Sequence, residues 1–161
     1  MKIYNIYTDG SHLKHTTGRL GIGGIFVEPP FTKIDTFSQE VSIDYLKRNY
    51  GTSDVSNPTC EMLAVLFALK QFRKLLKRAD EVHIKADYQG VKEWLNGNWK
   101  TKAPYIAKIK EEIENEIQSQ KLQGRIHFDW VKGHQNKSVL DPDAFWNNKV
   151  DLLAKGIEDD E

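Results

Sequence analysis

Residues 57–87 read NPTCEMLAVLFALKQFRKLLKRADEVHIKAD, and within them a helical period gives way to a strand period. Asn57 is a residue type that caps free N–H groups, and Pro58 is preset for a first helical position. Met62, Val65, Leu66, Leu69, Phe72 and Leu76 then recur at steps of three and four, predicting a helix to about Lys77. From Glu81 the period is two, with Val82, Ile84 and Ala86 on one face and His83, Lys85 and Asp87 on the other. A helix feeding a strand is the crossover that lets strands lie parallel.

Upstream, Lys2–Asp9, Leu20–Glu28 and Lys33–Val41 read as three strands. The loops between them are too short for a helical crossover, so an antiparallel meander is expected. Ile43–Ser56 (IDYLKRNYGTSDVS) is polar and turn-rich and reads as a surface loop. Downstream come a short helix over Tyr88–Leu95 and a longer one marked by Ile106, Ile109, Ile113 and Ile117, ended near Gly124. A strand over Arg125–Lys132 follows, then a last helix marked by Trp146, Val150 and Leu153 and stopped by Gly156. The expected fold is α/β: one domain over residues 1–156, with a five-stranded mixed sheet of three antiparallel strands and then two parallel ones. Helices cover both faces. Residues 157–161 form an acidic tail.

The 161 residues suffice for one domain with a real core. Cys60 is the one cysteine, which excludes an intramolecular disulfide and a cysteine-based zinc site. No apolar run reaches a membrane span, and residues 1–7 lack a signal-peptide core, so a cytoplasmic monomer is expected. Lys plus Arg number 23 and so do Asp plus Glu, a formal net charge of zero. Without the four acids of Glu158–Glu161 the balance is 23 against 19, or +4. A zero sum therefore leaves room for a basic surface.

Four acids stand out by position. Asp9 ends the first strand and Asp87 the fourth, where open α/β sheets place their ligands. Glu61 lies near the start of the first helix beside its apolar stripe, and Asp151 sits between Val150 and Leu152 in the last helix. Each has an ordinary reading, since an Asp before Gly is most often a turn residue and the helix dipole favours an early Glu. Together, converging carboxylates repel unless a cation joins them, and hard oxygen donors select Mg²⁺. If the four are metal-neutralised, 23 basic residues face 15 acidic ones, a balance of +8.

Local sequence resembles the type 1 ribonuclease H family. Thr8-Asp9-Gly10-Ser11 is similar to its T-D-G-S opening, and Gly21-Ile22-Gly23-Gly24 to its glycine-rich second strand. Glu61-Met62-Leu63-Ala64 resembles the E-L-x-A helix, and Ala86-Asp87-Tyr88-Gln89 the T-D-S-Q segment. Trp130–His134 (WVKGH) and Asn147–Ala154 (NNKVDLLA) match the two closing motifs, in order and on the expected elements. The resemblance implies a ribonuclease H-like domain that hydrolyses the RNA strand of RNA:DNA hybrids. Asp9, Glu61, Asp87 and Asp151 would hold two Mg²⁺ ions, or Mn²⁺ in their place, leaving 5′-phosphate and 3′-hydroxyl ends. It makes His134 a mobile base or proton shuttle, although a lone histidine is more often filler.

Substrate contacts are expected from Gly10, Ser11, Asn57 and Gln89, which could sense 2′-hydroxyls, and from Trp99, Lys100 and Lys102. The family often carries polar residues shortly before the glutamate and a serine after the third acid. Here Pro58 and Tyr88 stand instead, and the basic protrusion of many members is shortened to Asn98–Tyr105. Lys70, Arg73, Lys74, Lys77 and Arg78 put five cations in nine residues, usually a solvated face. Two other readings stay open: the same fold acting on double-stranded RNA or a DNA junction, and a non-catalytic binding module.

Overall fold

The computed structural model of the protein describes residues 1–13, 18–132 and 141–157; His134 and the acids 158–161 lie outside the described residues. Three strands open the chain: β1 (Ile3–His12), β2 (Arg19–Glu28) and β3 (Thr32–Ser42). Helices α1 (Ile43–Tyr50), α2 (Asn57–Gln71) and α3 (Arg73–Leu76) lead to β4 (Glu81–Ala86). Then come α4 (Gln89–Leu95), α5 (Pro104–Ser119), β5 (Ile126–Trp130) and α6 (Pro142–Ala154). The sheet order is β3-β2-β1-β4-β5. β1, β2 and β3 pair antiparallel, whereas β4 runs parallel to both β1 and β5, as the strand–helix–strand spacing predicts.

Side-chain alternation splits the core into two layers. Tyr4, Ile6, Leu20, Ile22 and Phe26 face α2, while Tyr7, Ile25 and Val27 face Trp146 and Val150 of α6. Helices therefore lie on both faces, and no polar edge of β1 is left open. α2 is buried nearly all round, from Thr59 to Leu66 without a break, because the sheet lies on one side and α5 on the other. Each fully buried Leu or Met there contributes on the order of 1.5–3 kcal/mol.

Three expectations need correction. Residues 43–50 are not loop but α1, opened by the Ser42 hydroxyl, which accepts from the Tyr45 N–H at 3.1 Å, and closed by left-handed Gly51 at φ 66°. Only Leu46 and Tyr50 of that helix are buried, too few to write a periodic signal in so polar a segment. The long first helix breaks at Phe72, and α3 continues the stripe as a separate short turn. Ser56, not Asn57, holds the cap position of α2, and its side chain makes no capping bond; Asn57 is the first helical residue. Among the described residues no helix is long and apolar enough to cross a membrane.

Candidate active site

The central position of β1 is what assembles the acids. Asp9 does not end β1 as the sequence suggests: the strand runs on to His12 because β2 keeps pairing with it, and Asp9 is paired with Gly23. Thr8 pairs with Ala86 in the parallel register, so Asp87, the first residue past β4, lies beside Asp9. Glu61, in the second turn of α2, reaches the same point from the opposite layer. It can do so because Gly10 has no side chain: a Cβ there would overlap the backbone and Cβ of Cys60. Across this close approach the Gly10 N–H donates to Glu61 Oε1 at 3.1 Å. Cys60 itself is fully buried, its thiol donating to the Val55 carbonyl, a packing role.

Asp9 and Glu61 are each only 3% exposed. Asp9, Glu61 and Asp87 each offer an oxygen, and these all lie within 4.8 Å of one another. Burial raises the Asp9 carboxyl far above the carboxylate range, and the charge of Glu61 beside it raises it further. Glu61 is raised too, again chiefly by burial, while its hydrogen bonds with Asp9 and Gly10 pull the other way. Two such groups titrate as a pair. Glu61 Oε2 has no hydrogen-bond partner although it is buried. A buried acceptor without a donor is costly, and a cation held by three carboxylates removes both that cost and the repulsion. The residues present therefore fit a hard divalent ion.

Asp151 stands at the rim of this cluster. Gly23 lets α6 close onto β2, since a Cβ there would meet Leu153 Cβ at 2.9 Å. Because Gly23 is the partner of Asp9, that packing carries Asp151 toward Asp9, whose carboxyl it helps raise. Asp151 is outside the three-acid set and pairs with Lys155 one turn on, Nζ to Oδ2 2.9 Å. That ion pair holds the Lys155 ammonium above its ordinary value.

The remaining sequence-predicted residues divide. The Gly10 N–H donates to Glu61. Ser11 is half-buried in β1, and Asn57 and Gln89 are exposed at the starts of α2 and α4. Trp99, Lys100 and Lys102 line a cleft of about 610 Å³ together with Ser56, Pro58 and Trp94. Sequence reasoning missed this cleft because its walls come from three separate segments. Tyr88 does not project freely. Its ring packs on Gly90 and lies 5.9 Å from the Trp94 ring, which in turn meets Trp99 edge-on at 6.1 Å. The five cations at the α2–α3 junction are all exposed, and Arg73 is paired with Glu116 of α5 at 2.9 Å.

Comparison with known proteins agrees with this arrangement. The RNase H family model matches residues 1–158. The fold is similar to the N-terminal RNase H domain of rv2228c from Mycobacterium tuberculosis, at 22% identity and TM-score 0.68, covering 98% of this chain and 99% of that one. LC11-RNase H1, solved in complex with RNA/DNA hybrid, is 16% identical with TM-score 0.71, covering 96% and 95%. RNase H1 from the halophilic archaeon Halobacterium salinarum is 16% identical with TM-score 0.69, covering 94% of each chain. Curated protein sequences gave no match. With a model match spanning the sheet, both helical layers and all four acids, the chain belongs to the RNase H family and is a ribonuclease H.

Proposed function

We propose that this protein, acting as a monomer, is an endoribonuclease that hydrolyses the RNA strand of RNA:DNA hybrids. In this reading it leaves 5′-phosphate and 3′-hydroxyl ends. The observation that carries the reading is the convergence of Asp9, Glu61 and Asp87, in which Glu61 keeps one buried oxygen, Oε2, without a partner. The hybrid bound by LC11-RNase H1 supports the substrate class.

Two Mg²⁺ ions, or Mn²⁺ in their place, held by Asp9, Glu61, Asp87 and Asp151, would supply the activated water and the stabilisation of the departing 3′-oxygen. The chain's own part is to keep the acids in place. The Gly10 N–H fixes the Glu61 carboxylate, burial excludes competing water, and Lys155 steadies Asp151 from one helical turn away. His134, on the segment after β5, would carry a proton to or from the reacting phosphate. Ser11, Asn57 and Gln89 would meet sugar hydroxyls, and the Trp99–Lys100–Lys102 cleft would take backbone phosphate and sugar.

The test is cleavage of matched hybrid, duplex RNA and duplex DNA in Mg²⁺ and in Mn²⁺, with end-group analysis. Wild-type protein cuts the hybrid's RNA strand, and Asp9→Asn abolishes cleavage while remaining folded. A preference for either homoduplex would replace the substrate, and no cleavage at all would leave a binding module.

A further inference from the structure

Toward the amino end of β4, on the sheet face that carries Asp87, a second set of ligating side chains stands apart from the acids. His83 and His127 are direct partners in the parallel β4–β5 register, and their rings stack with centroids 4.7 Å apart and planes at 24°. His83 Nδ1 lies 3.0 Å from Asp129 Oδ2, and His127 Nε2 lies 3.2 Å from Glu81 Oε2. Glu81, His83 and His127 each offer a ligand atom within 4.8 Å of the others. Four residues of strand separate His83 from Asp87, roughly 13 Å, so the two clusters are distinct.

We propose that Glu81, His83 and His127, backed by Asp129, form a site for a borderline divalent transition ion of the Zn²⁺ class. Imidazole nitrogens with carboxylate suit such ions, whereas the all-oxygen set of Asp9, Glu61 and Asp87 suits Mg²⁺. Charge argues the same way. Lys85 is committed to Asp143, and Arg125 to the carbonyls of Ala79 and Lys121, so among the described residues the two carboxylates have imidazoles as partners rather than a lysine or arginine. A dication neutralises both acids. Asp129 at His83 Nδ1 is the kind of outer carboxylate that fixes the tautomer of a ligating histidine. Three protein ligands leave a tetrahedral ion one position for water. Ligands about 2.0–2.1 Å from a tetrahedral zinc stand about 3.3 Å apart, so these partly exposed side chains rotate inward to close on the ion. The ion would tie β5, an edge strand of the sheet, to β4.

The experiment titrates Zn²⁺ into tag-free full-length protein in excess Mg²⁺, by calorimetry and by NMR of the histidine rings. One Zn²⁺ binds, the His83 and His127 resonances move, and those of His12 do not. His83→Gln, His127→Gln and Asp129→Asn each weaken binding at least tenfold, and His12→Gln leaves it unchanged. Zinc binding that survives both histidine substitutions would overturn the proposal. So would unmoved His83 and His127 resonances in the wild-type protein, a readout that needs no variant to fold.

Discussion

Gly10 and Glu61 join β1 to α2 at the candidate active site: the Gly10 N–H donates to Glu61 Oε1 at 3.1 Å where the strand and the helix approach closely enough to exclude a side chain at position 10. Any side chain at position 10 would be driven into Cys60, whose backbone atoms cannot swing away. Gly10→Ala should therefore push α2 off the strand, with a loss of about 1–3 kcal/mol from overpacking. The same shift misplaces Glu61, and a 1 Å error at a reacting centre costs roughly 10²-fold in rate. Urea unfolding and kcat at saturating Mg²⁺ measure the two effects. Full activity in the alanine variant would show that the contact does not position the carboxylate.

The Asp9–Glu61 pair makes the metal-free protein sensitive to pH in a stated direction. Both carboxyls are raised, chiefly by burial, so between the ordinary carboxylate range and their folded values the native state holds more protons than the unfolded one. Their contribution to stability is present below about pH 4 and is lost as pH rises through the folded values. Asp9→Asn removes the repulsion while keeping the shape. Without metal, it should melt higher than wild type at pH 8, with a smaller gain at pH 5. A gain of about 1 kcal/mol appears as roughly 2–4 °C in a chain of this size. Mg²⁺ should raise the wild-type Tm more at pH 8 than at pH 5 and leave the variant nearly unmoved. Equal Mg²⁺ stabilisation of both proteins would contradict the assignment of Asp9 as a ligand.

Much of this arrangement is readable from residue order because strand alternation and strand ends are local signals. Asp87 declares itself as the residue that follows an alternating run, and Glu61 by lying beside a buried stripe; Asp9 draws notice before Gly10, but β1 runs past it to His12 because pairing with β2 continues. The meander, the crossover and the mixed sheet follow from loop lengths. What escapes is set by tertiary packing. The polar α1 exists because Leu46 and Tyr50 find a core that the sequence does not announce. The break at Phe72 is hidden because an apolar stripe continues through it. Asp151 shares the residue type of the other acids, yet its ion pair with Lys155 and its place at the rim depend on how α6 docks over Gly23.

That docking has its own anchor. The Tyr7 hydroxyl donates to Asp143 Oδ1 at 2.5 Å, and Lys85 Nζ lies 3.0 Å from the same oxygen, tying the first turn of α6 to β1 and β4. Tyr7 is buried, and its hydroxyl is held well above the usual phenol value by burial and by Asp143. Asp143→Ala leaves that hydroxyl without an acceptor and Lys85 without its partner. The expected cost is about 1–3 kcal/mol, read by urea unfolding, against about 1 kcal/mol for Tyr7→Phe, which loses one bond but strands no charge. A cost for Asp143→Ala no greater than that of an exposed surface substitution would show that α6 is held by Trp146 and Val150 alone.

The aromatic and basic cleft sets the last expectation. Trp99, Lys100 and Lys102 stand exposed on its wall, away from the acids, so they can bind substrate without entering the chemistry. Truncating Trp99 should raise KM for the hybrid while kcat holds, because contact that is equal in ground and transition states affects binding alone. Lys100→Ala and Lys102→Ala should also flatten the salt dependence of hybrid binding, each lost phosphate contact lowering the log–log slope by about 0.7–0.9. A chain whose formal charge sums to zero has few such contacts to spare, so the wild-type affinity should be modest and fall steeply between low and physiological salt. Binding measured by fluorescence anisotropy across a salt series separates the outcomes. A slope unchanged by both lysine substitutions would move the phosphate track off this cleft and onto the exposed cations of the α2–α3 junction.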